Sequence, residues 1–271
     1  MKLIARIATL AAGLALACSG AFAQTKAELM WLGQSAFRIS SPGGKVILTD
    51  PWLLKNPLTP AQYKDLAALG KIDVLVVTHG HGDHIADAPA VAKLNNIRLW
   101  APGDLNMTLT TLGVLPLAQL PRFNKSGRVS PAPGISLTMT HAEHSSVYVW
   151  HNPATGKDET HPGGEPAGFI LELENGFRIW HMGDTGVFGD MKWIGEYYKP
   201  DLVLIPIGGH FTMDPADAAY ALRELIKPPA AMPMHYGANP LAKGTAAEFQ
   251  KAMEGSPVRI VVPKPGETVR F

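Results

Sequence analysis

A short cluster of metal-ligating side chains directly after an apolar run constrains this chain more than any other feature. Residues 73–77 are mainly β-branched and apolar, which is typical of a strand covered on both faces. The next seven residues, 78–84, read Thr-His-Gly-His-Gly-Asp-His. Imidazole and carboxylate groups are the ligands that a borderline divalent metal prefers where thiolates are absent. The sequence therefore predicts a metal site at the end of a buried strand, with these candidate ligands: His79, His81, Asp83 and His84.

The spacing within this cluster suggests that its side chains can face two different metal ions. Alternate residues of an extended segment point to the same side, so His79 and His81 can face one ion. The intervening glycines permit a turn that brings Asp83 and His84 toward another ion. A solvated polar loop is the alternative, but three histidines and an aspartate at this spacing favour a metal site.

The first 23 residues have the pattern of a secretory signal peptide. Lys2 and Arg6 precede an apolar stretch, and Ala21-Phe22-Ala23 supplies the small residues expected before a cleavage site. We expect the mature chain, residues 24–271, to be one domain that is periplasmic or secreted. A membrane anchor and lipidation at Cys18 are alternatives, but the apolar stretch is short for a membrane span. The residues before Cys18 also resemble a lipoprotein signal poorly.

Charge and cysteine content exclude several classes of function. The 24 Lys and Arg residues nearly balance the 23 Asp and Glu residues, which argues against nucleic acid as the main partner. Cleavage would remove Cys18, the single cysteine of the chain. The mature protein would then have neither a disulfide nor a thiolate, so ligands and nucleophiles must come from oxygen or imidazole nitrogen.

Strand and helix signals alternate along the chain without a repeat. β-rich runs lie at 29–40, 45–48, 73–77, 98–100, 135–140, 169–173, 177–180 and 202–206. Asn175-Gly176 indicates a two-residue hairpin turn. Helices are predicted after the caps Thr59, Asp214 and Thr245, and from the histidine cluster to about Lys93. This pattern predicts an α/β protein with helices outside its sheets, and the polar stretch 152–166 is predicted as a long surface loop.

The histidine cluster, one earlier motif and three later motifs resemble the metallo-β-lactamase superfamily. The signature H-x-H-x-D-H is matched in full at residues 79–84, and the other matches occur in the family's order. They are Asp50 in L-T-D-P, His144 in H-A-E-H-S-S, Asp184 in M-G-D-T-G and His235 in P-M-H-Y-G. The motifs G-D-T-G and P-I-G-G-H-F-T-M look like the branch of uncharacterised metal-dependent hydrolases related to ascorbate-6-phosphate lactonase.

This resemblance implies a fold, a ligand set and a reaction. The fold would be an αββα sandwich of two mixed β-sheets with the metals at one edge. One divalent ion would bind His79, His81 and His144, and a second would bind Asp83, His84 and His235, with Asp184 bridging both. A hydroxide held between the ions would attack a small ester, lactone or phosphoester. Zinc is the first expectation for the metal, although manganese and iron suit the same ligands.

Other residues near these motifs are assigned roles with open alternatives. Asp50 is expected to orient a ligand histidine, because a carboxylate that accepts an imidazole N–H fixes its tautomer. His210 could contact substrate and Tyr236 could donate to an oxyanion, but either could instead serve packing. His141 and His181 are left open as contributors to the site. Trp52 could wall a pocket, although core packing is the default for tryptophan.

Two other classes of function compete with hydrolysis. A protein that binds metal or ligand without efficient turnover would use the same fold, but such proteins usually lack part of the ligand set. Oxidoreduction on this fold depends on a flavin domain, for which 271 residues leave no space. The leading expectation is therefore an exported hydrolase of a small molecule, whose substrate and oligomeric state the sequence leaves open.

Overall fold

The computed structural model describes residues 26–271. The predicted signal peptide and Cys18 lie outside the described residues. Across residues 26–271, no helix has both the length and the apolar character needed to cross a membrane.

The strands form two large sheets and one separate ribbon. In chain order they are β1 (Glu28–Gly33), β2 (Ala36–Ser40), β3 (Val46–Thr49), β4 (Val74–Val76), β5 (Leu99–Trp100), β6 (Arg128–Ala132), β7 (Ile135–His141), β8 (Val147–Asn152), β9 (Lys157–Pro162), β10 (Ala167–Glu172), β11 (Arg178–His181), β12 (Leu202–Pro206), β13 (Ala230–Met234), β14 (Arg259–Ile260) and β15 (Thr268–Arg270). The first sheet has the order β15-β1-β2-β3-β4-β5, and the second has the order β14-β13-β12-β11-β10-β7-β6. Both are mixed, since β3-β4-β5 and β11-β12-β13-β14 are parallel whereas the other pairs are antiparallel.

Six α-helices among the described residues complete the architecture. They are α1 (Gly82–Ile85), α2 (Ala88–Asn95), α3 (Gly103–Thr111), α4 (Met191–Tyr198), α5 (Pro215–Tyr220) and α6 (Ala246–Ala252). A π-helical segment, Ala221–Ile226, continues α5. The predicted caps are confirmed at Asp214, whose side chain accepts two backbone N–H groups, and at Thr245, which forms a capping box with Glu248.

Three apolar layers hold these elements together. The central layer packs the two sheets against each other and includes Trp31, Phe37 and Phe169, all almost fully buried. A second layer joins the first sheet to α2 and α3, and a third joins the second sheet to α4, α5 and α6. Burial of apolar surface on both faces of each sheet explains the continuous apolar runs at β4 and β12. The predicted αββα sandwich is confirmed.

Two predictions about local structure are wrong because side chains find other partners. The helix expected from Thr59 to Gly70 is instead two short 3₁₀ helices, Ala61–Lys64 and Leu66–Leu69. The Thr59 hydroxyl donates to the Leu32 carbonyl rather than capping a helix. The expected helix after the histidine cluster is divided into α1 and α2, because the Asp87 carboxylate between them accepts the backbone N–H groups of Leu53 and Leu54.

The polar stretch 152–166 is not a long loop, which corrects a third prediction. Its middle part is β9, which pairs with β8 in an antiparallel ribbon from Val147↔Pro162 to Asn152↔Lys157. Backbone pairing between two local strands stabilises this segment although its side chains are largely polar. The Asn175-Gly176 hairpin is present, but its turn also includes Glu174, since Leu173 N donates to Phe177 O.

Candidate metal centre

The candidate ligands lie at the carboxyl ends of strands from both sheets. His79 follows β4 in the first sheet, whereas Asp184 and His235 follow β11 and β13 in the second. Parallel strands place their carboxyl ends at one edge, where irregular backbone can present polar side chains without disturbing the sheet. His235 has a φ of 56°, a left-handed conformation that turns the chain sharply as it leaves β13.

Three histidines form the first cluster: His79, His81 and His144. One ring nitrogen from each lies within 4.8 Å of the others, and His79 Nε2 is 3.0 Å from His81 Nδ1. His79 is fully buried, whereas His81 and His144 are partly exposed. Three imidazoles converge here from two segments of the chain. They suit a zinc ion that takes three protein ligands and keeps its fourth position open.

Two aspartates and two histidines form the second cluster: Asp83, His84, Asp184 and His235. Their ligand atoms also lie within 4.8 Å of one another. Asp184 Oδ2 is 2.9 Å from His235 Nε2 and 3.2 Å from His84 Nε2, and Asp83 Oδ2 is 3.4 Å from His235 Nε2. The set offers nitrogen and carboxylate oxygen, which suits Zn²⁺, Mn²⁺ and Fe²⁺ alike.

The carboxylate of Asp184 lies next to both clusters. Its Oδ2 atom is 4.0 Å from His79 Nε2 and 3.6 Å from His144 Nε2, in addition to its short distances to the second cluster. The side chain is 3% exposed, so both clusters share a carboxylate that is largely removed from water.

Asp50 orients one histidine of each cluster, His84 directly and His79 through Thr78, as the sequence predicted for an orienting carboxylate. It accepts hydrogen bonds from Thr78 N at 2.7 Å, Thr78 Oγ1 at 2.7 Å and His84 Nδ1 at 2.8 Å. Because the Thr78 hydroxyl donates to Asp50, it can accept from His79 Nδ1, 3.0 Å away. This network assigns the ring proton of both histidines to Nδ1 and leaves each Nε2 lone pair directed toward the site.

Several buried polar atoms at the centre have no hydrogen-bond partner. They include His84 Nε2, His235 Nε2 and Asp184 Oδ1. The nitrogens come close to Asp184 Oδ2 without the geometry of a hydrogen bond. Unpaired buried polar atoms are costly, and a cation bound between them would remove that cost. The residues present therefore fit bound metal.

In the second cluster, the pKa of each titratable group depends on the charges of its neighbours. Burial by itself raises the pKa of the Asp184 carboxyl, but the charges of His235 and His84 outweigh burial and hold that pKa well below its usual range. Burial lowers the pKa of His235, whereas the Asp184 charge raises it, and the result is about 9. Because an imidazole must lose its proton to bind a metal, metal uptake here releases protons.

A cavity of about 460 Å³ opens beside the clusters. It is lined by His81, Asp83, His144, Asp184 and His235, together with side chains that are not candidate ligands. The latter are Gln34, Trp52, Ser145, Phe211 and Asn239.

Sequence reasoning missed most of these additional lining residues, because none of them belongs to a ligand motif. Gln34 follows Gly33 in the turn between β1 and β2. Its side-chain Nε2 donates to Asp83 Oδ2 at 2.9 Å, and its backbone carbonyl accepts the His235 backbone N–H. A left-handed φ of 51° at a non-glycine residue was the local signal, and only the structure reveals it.

His210 and Tyr236, which the sequence offered as catalytic residues or as packing residues, are not among the residues that line this cavity. His210 is exposed, lines a separate cavity with Lys243, and packs its ring edge-on against Phe211. The positive φ of His210, 63°, turns the backbone so that the next residue, rather than His210, faces the metal side. The Tyr236 ring stacks on Trp31 at 5.0 Å, and burial raises its pKa to about 12. In this structure the Tyr236 ring packs against Trp31.

The two histidines that the sequence left open also lie outside the cavity. His141 ends β7, where it contacts Lys125 and Glu143. His181 is buried and its Nε2 donates to the Ser35 carbonyl, while its Nδ1 accepts the Gly183 N–H at 3.2 Å. Because Gly183 precedes Asp184, His181 supports the turn that presents the shared carboxylate.

Comparisons with known proteins agree with this geometry. Residues 45–236 match the beta-lactamase superfamily domain. A UPF0173 metal-dependent hydrolase from Polaromonas sp. is 67% identical over 246 residues, which cover 91% of this chain and 90% of that protein. A second protein of that name, from Roseiflexus sp., is 43% identical and covers 89% of this chain and 96% of its own length.

A solved structure is also similar over nearly the whole described chain. Igni18, a metallo hydrolase from Ignicoccus hospitalis, has a TM-score of 0.78 and 34% sequence identity. The similarity covers 91% of this chain and 98% of Igni18. The match to the superfamily domain, the identity to its hydrolases and the convergence of the histidine and aspartate motifs lead to one conclusion. The chain belongs to the metallo-β-lactamase superfamily and is one of its metal-dependent hydrolases.

Proposed function

We propose that this protein is an exported dinuclear hydrolase of a small ester, lactone or phosphoester. His79, His81 and His144 would hold one divalent ion, and Asp83, His84 and His235 would hold the other. Asp184 would contact both ions, and zinc is the first candidate for each. Export is proposed from the amino-terminal sequence pattern alone.

The observation that carries this proposal is the position of one carboxylate oxygen. Asp184 Oδ2 lies within 4.0 Å of an Nε2 atom from four histidines, two in each cluster. Those four are His79, His144, His84 and His235. A carboxylate between two sets of ligands, three imidazoles on one side and two imidazoles with Asp83 on the other, supports a pair of cations better than one cation, since both ions can share its negative charge.

The chain's own groups fit a hydrolysis without a protein nucleophile. When bound, two divalent ions would supply a water of lowered pKa and polarise the substrate's carbonyl or phosphoryl oxygen. Thr78 and Asp50 keep His79 and His84 in the tautomers that leave Nε2 free for ligation. Asp83 is 31% exposed in the cavity, where its carboxylate can take up a proton from the attacking water.

Elemental analysis with activity assays tests this assignment. We expect about two equivalents of divalent metal in the purified protein and loss of nearly all activity in Asp184→Asn, with reduced occupancy of both sites. His81→Ala should deplete only the first site. Asp190→Asn is the matched control, because Asp190 is exposed and its side chain does not cap α4.

Two outcomes would contradict the proposal in different ways. Full occupancy in Asp184→Asn would remove this carboxylate from contact with both metals. Full occupancy in the natural protein, without hydrolysis of any ester, lactone or phosphoester, would favour the alternative that the chain binds metal or ligand without turnover.

A further inference from the structure

Among the described residues, no lysine or arginine lines the metal-side cavity, and each histidine that lines it is a candidate metal ligand. Apart from the candidate ligands, the lining consists of Gln34, Trp52, Ser145, Phe211 and Asn239. Lys243 and the exposed His210 line a separate cavity. A substrate group that enters the metal-side cavity beyond the reacting centre therefore meets aromatic rings and neutral hydrogen-bonding groups.

The two aromatic residues are held at this cavity by backbone that is tied to the metal centre. Phe211 is 45% exposed, yet its loop is fixed, because Phe211 N donates to Gly209 O and Met213 N donates to the carbonyl of Thr185, the neighbour of Asp184. Trp52 N donates to the carbonyl of Asp50. Phe211 is exposed and Trp52 is half-buried, and aromatic side chains that reach a cavity from such fixed segments are typical of a site that binds an apolar group.

The neutral polar groups of the cavity have free hydrogen-bonding capacity. Asn239 Oδ1 accepts the Leu241 N–H, which leaves Asn239 Nδ2 as a donor. Gln34 donates through Nε2 to Asp83, while its Oε1 is buried without a partner. Such groups can pair with an uncharged carbonyl or hydroxyl, but they cannot compensate a full negative charge that is withdrawn from water.

We propose that the substrate is an uncharged ester or lactone whose apolar part lies between Trp52 and Phe211. This inference rests on the proposed function and names the substrate class of the same site; a phosphoester, whose charge the two ions would bind, is the competing class that the assays test. In the reaction, a water oxygen bonds to the carbonyl carbon and the bond from that carbon to the alkoxy oxygen breaks. One water proton passes to the departing alkoxide, and the products are a carboxylic acid and an alcohol.

A matched pair of chromogenic esters tests the predicted charge preference. The metal-loaded protein is assayed with 4-nitrophenyl hexanoate and with the mono-4-nitrophenyl ester of adipic acid, which has the same chain length and a terminal carboxylate. We expect kcat/KM to be at least about tenfold higher for the hexanoate, because the carboxylate would lie among aromatic and neutral groups. Bis(4-nitrophenyl) phosphate is assayed in parallel and should be hydrolysed more slowly than the hexanoate.

Variants of the two aromatic residues test where the apolar group lies. Trp52→Ala and Phe211→Ala should each lower kcat/KM for the hexanoate by about tenfold or more, with a smaller effect on 4-nitrophenyl acetate, whose methyl group is too short to contact both rings. Trp193→Ala is the matched control, because Trp193 is a similarly exposed aromatic residue on α4, where it contacts Tyr197 and Tyr198.

Binding to the metal-free protein gives a second measurement that does not depend on turnover. Calorimetry measures the Kd for hexanophenone, an uncharged ketone that cannot be hydrolysed. Trp52→Ala and Phe211→Ala should each raise this Kd, and Trp193→Ala should leave it unchanged.

The outcomes separate this inference from the proposed function. Metal-dependent hydrolysis with equal or faster turnover of the adipate ester or the phosphodiester would overturn the inference and leave the proposed hydrolase intact. Unchanged hexanoate kinetics in both cavity variants would also overturn it. Absence of metal-dependent hydrolysis in every assay would instead refute the proposed function and, with it, the substrate assignment.

Discussion

Replacing Asp50 with asparagine should weaken metal binding without unfolding the protein. Asp50 is fully buried and accepts three hydrogen bonds, from Thr78 N, Thr78 Oγ1 and His84 Nδ1, at 2.7 to 2.8 Å. Asparagine has the same shape and tolerates the positive φ of 40° found here. The backbone should therefore remain in place while one acceptor oxygen becomes a donor.

That exchange changes the chemistry of His84. If asparagine Oδ1 continues to accept from Thr78 N, its Nδ2 faces His84 Nδ1, which must then accept. The ring proton moves to His84 Nε2, and the lone pair that pointed to the metal site is lost. Loss of an orienting partner of this kind typically lowers metal affinity by about 10- to 100-fold, or about 1.4 to 2.8 kcal/mol.

Asp87→Asn supplies a control with the same chemical change. Asp87 is also buried and accepts two backbone N–H groups, from Leu53 at 2.6 Å and Leu54 at 3.0 Å, but these bonds involve no histidine. Both variants should lose about 1 to 3 kcal/mol of stability. Only Asp50→Asn should lose metal affinity when each protein is titrated with zinc against a competing chelator.

NMR of the imidazole nitrogens gives the direct readout. Burial lowers the pKa of His84, but the charges of Asp184, Asp83 and Asp50 raise it above its usual range. The spectra of the metal-free protein are therefore recorded at a pH high enough for this ring to be neutral, where the proton should lie on Nδ1, and in Asp50→Asn on Nε2. Equal zinc affinity in Asp50→Asn and Asp87→Asn, or an unchanged His84 tautomer, would refute the reasoning.

Three further predictions concern export, substrate range and pH. Amino-terminal sequencing of exported protein should begin at Gln24, and an intact Met1 or a lipid on Cys18 would contradict the signal peptide. Penicillin, cephalosporin and carbapenem should each give kcat/KM below about 10⁴ M⁻¹s⁻¹, because their carboxylate has no cationic partner in the cavity; a higher value that chelators abolish would be contrary evidence. The metal-free protein should lose stability as pH rises from 6.5 through about 9, because the folded-state pKa of His235 is raised and its protonated form stabilises the fold only below that range. Urea unfolding of chelated protein should show this loss, and His235→Gln should diminish it.

The sequence alone predicted the parts of the site that local pattern determines. His79, His81, Asp83 and His84 lie within six residues directly after a buried strand, so their convergence needs only a short turn, which the glycines permit. Local signals also predicted an α/β protein with helices outside its sheets, and the resemblance to the metallo-β-lactamase superfamily implied the αββα arrangement. The structure brings together every residue predicted as a ligand, and it places Asp50 on a histidine as expected.

Tertiary structure decided which side chains face the cavity. Gln34 reaches Asp83 across 49 positions of sequence, and Asp184 meets His79 because the two sheets place their strand ends together. Phe211 rather than His210 faces the metal side because of a left-handed turn that no residue type in the motif requires. Thr59 does not cap the expected helix, because its hydroxyl donates to the Leu32 carbonyl. For Gln34, Asp184 and Thr59 the deciding contact joins segments that are distant in the sequence, whereas a sequence pattern records only local preferences.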